Sequence, residues 1–360
     1  MAKIVVIGCV SSQSLYLEDI TNLWRKCWCD WLSCALRIQE AGHSVTIIAK
    51  DFPSGFETID SATQINFTSP WGGAHNRFIL PPPGAAPDSQ EAREHAMSLI
   101  TWEEMRSLHA RHPEAGITFM KAYDYFEVPE LAQTSLTEER ARNEYGMKGF
   151  RFHTKDELPN GVQMGMSMTP VKREIREPLE VFEMKEVAPF DALINASGIG
   201  FGDPDVFIIT VGQTCLVANP CPVTIVKLNA VDMPTFNVPR NFEGGTIIGG
   251  TKIPNDWNPN PSLELREKIL SNFAAIYPDI LGPEGKFTVI KDIIGRRPAR
   301  KGGMRLEKEI AQGEKCIIHA YGLGGRGYEL SWGVADKVGK LLASHLGSAD
   351  IPVKQMQAKI

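Results

Sequence analysis

The stretch that decides the fold lies at the start of the chain, where residues 3–8 read KIVVIG and residues 44–51 read SVTIIAKD. Lys3–Ile7 is a short apolar run of the kind found in buried parallel strands, and it ends at Gly8, which indicates a glycine turn. Val45–Ile48 is predicted as a second strand, followed by Lys50 and Asp51. Leu32–Ala41, between them, has helical apolar spacing and a glycine directly after it. This order predicts a βαβ unit for a dinucleotide, in which Asp51 holds a ribose hydroxyl.

The segment Val10–Trp31 interrupts this unit. Asp51 lies 43 residues after Gly8, whereas the dinucleotide fingerprint places the acidic residue about 20 residues after its glycines. The 22 residues of Val10–Trp31 account for the excess, and they lack the period of a helix or strand. We interpret the segment as translated intron, because Val10-Ser11 can be encoded by GTAAGT, a splice-donor sequence. The alternative is a lineage-specific insertion.

Composition limits the class of protein. The 360 residues are 43% hydrophobic and 22% charged, with a formal net charge of -5, so nothing points to nucleic acid or an anionic membrane as partner. No apolar run reaches the roughly 20 residues of a membrane helix. The seven cysteines have irregular spacing without zinc-site geometry, which predicts reduced thiols in an intracellular protein and no metal.

Further elements follow along the chain. Helical spacing covers residues 91–112, and residues 113–170 mix strands and turns. Asp191–Gly198 is a strand entering a small-residue turn. Later segments predict antiparallel strands over 213–255, an amphipathic helix over 262–277, a strand KCIIHAYG, a loop GLGGRG and a final helix from about Ser331 to Leu346. A strand, a glycine loop and a helix in this order form a second candidate phosphate or cofactor cradle.

Four blocks in this order resemble the D-amino-acid oxidase family of flavoenzymes, including its D-aspartate oxidase branch. They are FTSPWGGAHNR (67–77), LINASGIG (193–200), IIGRRPARKGGMRLE (293–307) and HAYGLGGRGYELSWG (319–333). The resemblance extends over nearly the whole chain outside residues 10–31. It implies an α/β fold: a Rossmann-like FAD-binding domain with an antiparallel-sheet substrate domain.

The resemblance also implies how the chain is divided between the two domains. Segments 1–80, 165–210 and 288–360 form the FAD-binding domain, and segments 81–164 and 211–287 form the substrate domain. The resemblance implies FAD as the cofactor, and because no His or Cys stands in an obvious attachment motif, we expect FAD to be held without a covalent bond. The positions predicted to bind the cofactor are Gly8, Asp51, Ser69, Gly73, Ala74, Ile175, Ser197, Gly198, Gly324, Gly327, Tyr328 and Glu329.

For the substrate site, the resemblance selects Arg297, Phe236, Gly325 and His75. Arg297 would bind the substrate carboxylate, since a guanidinium gives two parallel hydrogen bonds and keeps its charge when desolvated. We interpret the neighbouring Arg296 and Arg300 as solvated surface charge. Phe236 stands where the family commonly has a tyrosine. His75 and Arg77, after the first glycine loop, would suit a second carboxylate, as in D-aspartate.

The activity implied is oxidation of a D-amino acid with FAD and dioxygen to a 2-oxo acid, ammonia and hydrogen peroxide, by hydride transfer without a side-chain base. Two alternatives stay open. The chain is a catalytically dead or mis-spliced family member unable to bind FAD, or it is a glycine or secondary-amine flavin oxidase. Ala358-Lys359-Ile360 resembles a peroxisomal address read by the import receptor. We therefore expect a peroxisomal matrix location, with a cytoplasmic one as the alternative.

Overall fold

A computed structural model of the chain describes the residues 1–8, 30–48, 75–113, 116–173, 190–198, 202–210, 212–229, 233–241, 244–251, 253–254, 258, 260–311 and 314–347. Within these residues no helix combines the length and apolar character that a membrane crossing requires. The segment Cys9–Cys29, which holds most of the interruption, lies outside the described residues, as do residues 51–74 and 174–189.

The helices match the predicted ones at most places. They are α1 (Asp30–Glu40), α2 (Gln90–Arg111), α3 (Leu131–Thr134), α4 (Glu138–Asn143), α5 (Leu263–Ile276) and α6 (Gly327–Leu346). The Ser262 side chain caps α5 by accepting from the Leu265 N–H, which confirms the helix predicted over 262–277. Helix α6 begins four residues before its predicted start, and α3 and α4 occupy a region where only strands and turns were predicted.

The strands alternate with these helices along the chain. They are β1 (Lys3–Ile7), β2 (Ser44–Ile48), β3 (His75–Asn76), β4 (Ile117–Phe119), β5 (Ala122–Phe126), β6 (Arg151–Phe152), β7 (Met164–Met168), β8 (Val171–Arg173), β9 (Ala192–Asn195), β10 (Val206–Thr210), β11 (Thr214–Val217), β12 (Thr224–Leu228), β13 (Thr235–Pro239), β14 (Thr246–Gly249), β15 (Ile253–Pro254), β16 (Val289–Ile293), β17 (Arg297–Arg300), β18 (Arg305–Ala311) and β19 (Lys315–Tyr321). Both parallel and antiparallel pairs occur among them, as the predicted α/β class requires.

The first of two compact units comprises Met1–Phe56, Arg176–Phe207 and Pro298–Ile360. Its sheet, as far as it is described, has the order β18-β19-β9-β1-β2. Strands β19, β9, β1 and β2 are parallel, and β18 is antiparallel at the edge. Helices α1 and α6 pack together, with the Arg37 guanidinium 4.9 Å from the centre of the buried Trp332 ring. This is the predicted βαβ unit extended by two later chain segments.

The second unit comprises Glu57–Ile175 and Ile208–Arg297. Its main sheet, among described residues, has the order β16-β11-β14-β13-β12-β5-β7-β6, and a smaller one has the order β3-β8-β4. Helix α5 packs on one face of the main sheet, where Phe273 joins a core with Cys215 and Ile248. The assignment of the cofactor to one predicted domain and the substrate to the other stays a prediction.

Candidate functional site

The carboxyl ends of the parallel strands in the first unit form one edge of its sheet. Strand β1 pairs with β2 on one side and with the later strand β9 on the other, so the strand order reverses at β1. In open α/β sheets, ligands bind at such a switch point, beyond the carboxyl ends of the strands. Gly8 follows β1 here, with its N–H donating to the Ile48 carbonyl over 2.8 Å. Ser197 and Gly198 follow β9 at the same edge. Three predicted cofactor residues therefore lie together.

The backbone conformation at position 198 requires a glycine. Its φ is +77°, a conformation that other residues rarely adopt. A Cβ on Gly198 would also stand 2.8 Å from Cγ of Pro298, closer than real side chains approach. Backbone rather than side chain therefore faces outward here, as a pyrophosphate or sugar group needs for close approach.

The glycine loop after β19 forms the second part of the edge. Gly322 has φ +82° and Gly324 has φ +60°. A Cβ on Gly325 would meet no atom within 4 Å among the described residues, so the loop leaves open space above its backbone. Helix α6 starts at Gly327, with predicted positions Tyr328 and Glu329 half-buried in its first turn. The N-terminus of this 20-residue helix favours electron-rich groups.

Arg297, in the second unit, is the predicted carboxylate-binding residue. Its guanidinium lies against Gly212, where an added Cβ would stand 2.6 Å from a terminal nitrogen. Burial alone lowers the pKa of this guanidinium, and no carboxylate of the described residues pairs with it. Arg266, by contrast, pairs with Asp292. A desolvated arginine to which the described residues offer no acidic partner is a candidate site for a bound anion.

The neighbouring Arg300 contradicts the interpretation as solvated surface charge. Its Nε bonds Asp203 at 2.9 Å and its terminal nitrogen bonds Asp205 at 3.1 Å. The Arg300 side chain is 22% exposed. The prediction was wrong because both partners lie more than 90 residues away in sequence, beyond the reach of any local pattern.

Phe236 lies on the sheet face opposite α5. It is in register with Gly249 on β14 and with Val226 on β12. A Cβ on Gly249 would stand 2.2 Å from Cζ of Phe236, so the ring rests on the glycine backbone. Thr214 on β11 is in register with the same Gly249. Gly212, against which the Arg297 guanidinium lies, is two residues before Thr214, about 7 Å along an extended chain. Phe236 on β13 is therefore separated by one strand, β14, from β11, the strand that follows the Gly212 against which Arg297 lies.

His75 lies in the smaller sheet of this unit. It is half-buried in β3 and in register with Lys172 of β8. Arg77, two residues on, acts electrostatically on Asp124, which the sequence analysis did not select. Burial raises the pKa of the Asp124 carboxyl, and Arg77 opposes that shift. Asp124 is in register with Val226, so it shares the sheet face of Phe236.

Comparison with known proteins identifies the family. The profile of the DAO family, FAD dependent oxidoreductases, matches residues 160–341. D-aspartate oxidase of Talaromyces thermophilus is 36% identical over 334 residues, covering 85% of this chain and 88% of that protein. D-amino-acid oxidase of Schizosaccharomyces pombe is 28% identical over 302 residues, covering 75% of this chain and 82% of that protein.

The chain belongs to the D-amino-acid oxidase family of FAD-dependent oxidoreductases. The predicted family, cofactor and oxidoreductase class are therefore confirmed. Solved structures agree on the fold: glycine oxidase of Bacillus cereus aligns with a TM-score of 0.60 at 13% identity, over 97% of this chain and 99% of that one. L-proline dehydrogenase from P.horikoshii aligns with a TM-score of 0.61 at 14% identity, over 98% and 95%.

The described residues of the first unit fit FAD. At Gly198 and Gly322 a Cβ would collide with neighbouring atoms, and at Gly325 the backbone faces open space. These are the properties of a cradle built from main chain. The remaining predicted cofactor positions lie outside the described residues and stay predictions: Asp51, Ser69, Gly73, Ala74 and Ile175.

The sequence did not point to two further side chains at the sheet edge where the cofactor is predicted. Asn195 and His319 are buried on adjacent parallel strands, and their side chains are 3.2 Å apart. A signal was present, because each stands three residues before a glycine at the end of its strand, in NASG (195–198) and HAYG (319–322). The repeated pattern of a polar residue, alanine, a hydroxyl residue and glycine marks equivalent positions at one sheet edge.

Proposed function

We propose that this chain catalyses FAD-dependent oxidative deamination of D-amino acids, with an acidic D-amino acid such as D-aspartate as the preferred substrate. The balanced reaction converts the amino acid, dioxygen and water into a 2-oxo acid, ammonia and hydrogen peroxide. FAD, when bound, supplies the acceptor for the α-hydrogen and its electron pair. The side chains of the protein bind and orient the substrate.

Arg297 is the observation that carries this proposal. The α-carboxylate is common to all amino-acid substrates, and a guanidinium binds it through two parallel hydrogen bonds. Arg297 is desolvated and unpaired with any carboxylate of the described residues, so a bound carboxylate would supply the missing counter-charge. Phe236, on β13 of the main sheet, would form an apolar wall beside that carboxylate.

The preference for an acidic side chain rests on two supports. The Talaromyces thermophilus relative, at 36% identity, is a D-aspartate oxidase. His75 and Arg77 supply a ring nitrogen and a guanidinium in the same unit as Arg297. The alternative of glycine or secondary-amine oxidation rests on structural neighbours at 13–15% identity, which support the fold alone.

The test is peroxide formation by the purified 360-residue chain with D-aspartate, D-alanine, L-aspartate and glycine, after its flavin absorption spectrum has been recorded. We expect turnover of D-aspartate above D-alanine and no turnover of L-aspartate. Faster oxidation of glycine would favour the amine-oxidase alternative. A chain that stays colourless with added FAD would be the dead or mis-spliced product.

Arg297→Lys is the matched variant for this test. Lysine keeps the charge but loses the two-pronged hydrogen bonding, so we expect KM for D-aspartate to rise about 10- to 100-fold. Arg300→Lys serves as the control, because Arg300 is paired with Asp203 and Asp205. Equal effects of both changes on KM would contradict the role of Arg297.

A peroxisomal location is also a proposal. The tripeptide Ala358-Lys359-Ile360 lies outside the described residues, and a peroxide-forming reaction suits an organelle that contains catalase. Import of a fluorescent protein ending in residues 348–360 would support the address and its receptor. Diffuse cytoplasmic fluorescence would favour the alternative location.

A further inference from the structure

Asn195 closes the turn at the carboxyl end of β9 with its own side chain. Its Oδ1 accepts a hydrogen bond of 3.3 Å from the Ser197 backbone N–H and one of 2.8 Å from the Ser197 hydroxyl. A bond from an asparagine side chain to the amide two residues on is an Asx turn, which fixes the local backbone. Asn195 is 2% exposed and Ser197 is 1% exposed, so water cannot readily replace either partner.

These bonds determine which way the Asn195 amide points. A backbone N–H can only donate, so Asn195 must present its oxygen to Ser197. Its amide nitrogen therefore faces His319, 3.2 Å from the imidazole Nδ1. Since an amide nitrogen also only donates, Nδ1 must be the unprotonated, accepting nitrogen of the ring.

Glu309 completes the arrangement from the other side of the ring. The Nε2 of His319 lies 3.0 Å from a Glu309 carboxylate oxygen, so the single proton of the neutral imidazole sits on Nε2 and is donated to Glu309. His319 is 6% exposed. One chain of hydrogen bonds thus runs from Glu309 through His319 and Asn195 to Ser197, across strands β18, β19 and β9.

We propose that His319 is a proton-sensitive positioning residue, which through Asn195 holds the Ser197–Gly198 turn in the conformation that binds FAD. A proton on Nδ1 would remove the acceptor for the Asn195 amide. The amide would then turn its oxygen to His319 and its nitrogen to Ser197, and the hydrogen bond from the Ser197 N–H to Asn195 Oδ1 would be lost. The turn would loosen at the sheet edge where the cofactor is predicted.

The surroundings of His319 set the pH at which this happens. Burial lowers the pKa of the imidazole below its ordinary value, with Arg305 adding to that shift. Glu309 and, less strongly, Glu307 oppose it. On its own strand the ring contacts Tyr321 edge-on, with ring centres 5.7 Å apart. The neutral, accepting form therefore predominates at neutral pH, and the turn loosens as the pH falls through the lowered pKa.

The first experiment reads the turn itself and needs no FAD. Hydrogen–deuterium exchange of the peptide covering residues 192–198 is followed in the full chain from pH 8 to pH 5, corrected for intrinsic exchange. We expect its protection to fall about fivefold on the acid side, the equivalent of one hydrogen bond. In His319→Gln, whose amide can accept from Asn195 and donate to Glu309 without titrating, protection should stay flat. Acid-insensitive protection in the unsubstituted chain overturns the proposal.

The second experiment measures the FAD dissociation constant over the same pH range, by flavin fluorescence. We expect weaker binding at acid pH in the unsubstituted chain and in His345→Gln, a control on the last turn of α6, but not in His319→Gln. This arm rests on the proposed function, because it requires a chain that binds FAD. A chain that binds no FAD refutes that function and leaves exchange to decide the role of His319. Identical pH profiles of the FAD dissociation constant for His319→Gln and the unsubstituted chain would refute the proposal that His319 controls FAD binding.

Asn195→Asp gives a second readout that loss of structure could not mimic. A carboxylate can accept from Ser197 but can no longer donate to His319, so it favours the protonated ring. We expect the pH dependence of protection at Ser197 to flatten or invert, whatever the absolute FAD affinity. A merely destabilised variant would lose protection at every pH and keep the direction of the profile, which would count against the proposal.

Discussion

The Phe236 ring rests on Gly249 of the neighbouring strand, with Cζ 2.2 Å from where a glycine Cβ would stand. The two residues are in register across β13 and β14. Glycine therefore lets an aromatic ring lie flat against the sheet at this point. The ring is half-buried, so one side of it faces away from the backbone as a wall of the predicted substrate site.

Gly249→Ala should push this ring out of place. Because the Cβ would overlap the ring itself, Phe236 must tilt toward the substrate, and we expect KM for D-aspartate to rise about tenfold or more. The FAD dissociation constant should not change. Steady-state peroxide assays and a flavin titration measure the two effects. Ser271→Ala, on the exposed surface of α5, is the control, and an unaltered KM in Gly249→Ala would refute the placement.

Phe236→Tyr should improve substrate binding. The family commonly carries a tyrosine here, whose hydroxyl donates to the substrate carboxylate. A new hydrogen bond to a charged group contributes about 1.5–3 kcal/mol, so we expect KM to fall about tenfold or more. The measurement is KM with D-aspartate and D-alanine, since the gain should be shared by all substrates with an α-carboxylate. A gain confined to one substrate would argue for a side-chain contact instead.

Asp203→Asn should weaken the first unit only above acid pH. Hydrogen bonds from Arg300 and Tyr321 hold the pKa of the Asp203 carboxyl well below its usual range. The stabilisation that follows from a lowered pKa in the folded state is fully present above about pH 4. It is lost as the pH falls through the lowered pKa. The thermal midpoint of the variant should thus lie below that of the unsubstituted chain at pH 7, with the gap closing toward pH 3.

Asp205→Asn is the matched control for this comparison. Asp205 pairs with the same arginine, but its side chain is 47% exposed, against 8% for Asp203. Exposed pairs contribute little to stability, so the control should lose less at pH 7. A pH-independent gap for Asp203→Asn would show that the carboxylate charge is not what stabilises the network.

His153→Phe should raise the stability of the second unit. The His153 ring packs edge-on against Tyr123 and Tyr125, with ring centres 5.5 Å from each, and neither nitrogen has a hydrogen-bond partner among the described residues. Burial, then the charge of Arg151, lowers the pKa of this imidazole. The unfolded chain therefore binds more protons below about pH 6.5, and the folded form loses stability there.

The thermal midpoint measures this effect. We expect His153→Phe to unfold at a higher temperature at pH 8 and by a wider margin at pH 5. His109→Phe is the control, because His109 Nδ1 bonds the Ile117 carbonyl at 2.8 Å and its loss should give no gain. An equal increase in thermal midpoint at pH 8 and pH 5 would show that protonation of His153 does not affect the stability of the fold.

Local pattern was enough to predict the elements whose signals are local. Strand β1 carries the unbroken apolar run Ile4–Ile7, β2 is rich in β-branched residues, and α5 has Ser262 as the capping residue at its start. The short helices α3 and α4, of four and six residues, span too few turns for a period to be recognised. Helix α6 starts with a glycine, which in sequence looks like part of the preceding loop.

The candidate site also contains residues that a local motif predicts and residues that depend on long-range contacts. Arg297 could be selected because its role depends on a local motif. The pairing of Arg300 with Asp203 and the contact of Asn195 with His319 span 97 and 124 residues. Such contacts exist only because β19 inserts beside β9, and a sequence pattern does not show strand order. The polar residues Asn195 and His319 stand out in their apolar strands in the sequence, but the sequence does not show that they contact each other.

The order of segments along the chain has a consequence for biosynthesis. The second unit ends at Arg297, so every strand of its main sheet is synthesised before β18 and β19. Strand β9 gains its neighbour β19 only once Tyr321 has been synthesised. A nascent chain can therefore finish the sheet that carries Phe236 while β9 still has an unpaired edge. A message that terminates between β9 and β19 yields a product with that edge unpaired, a natural substrate for chaperones and proteases.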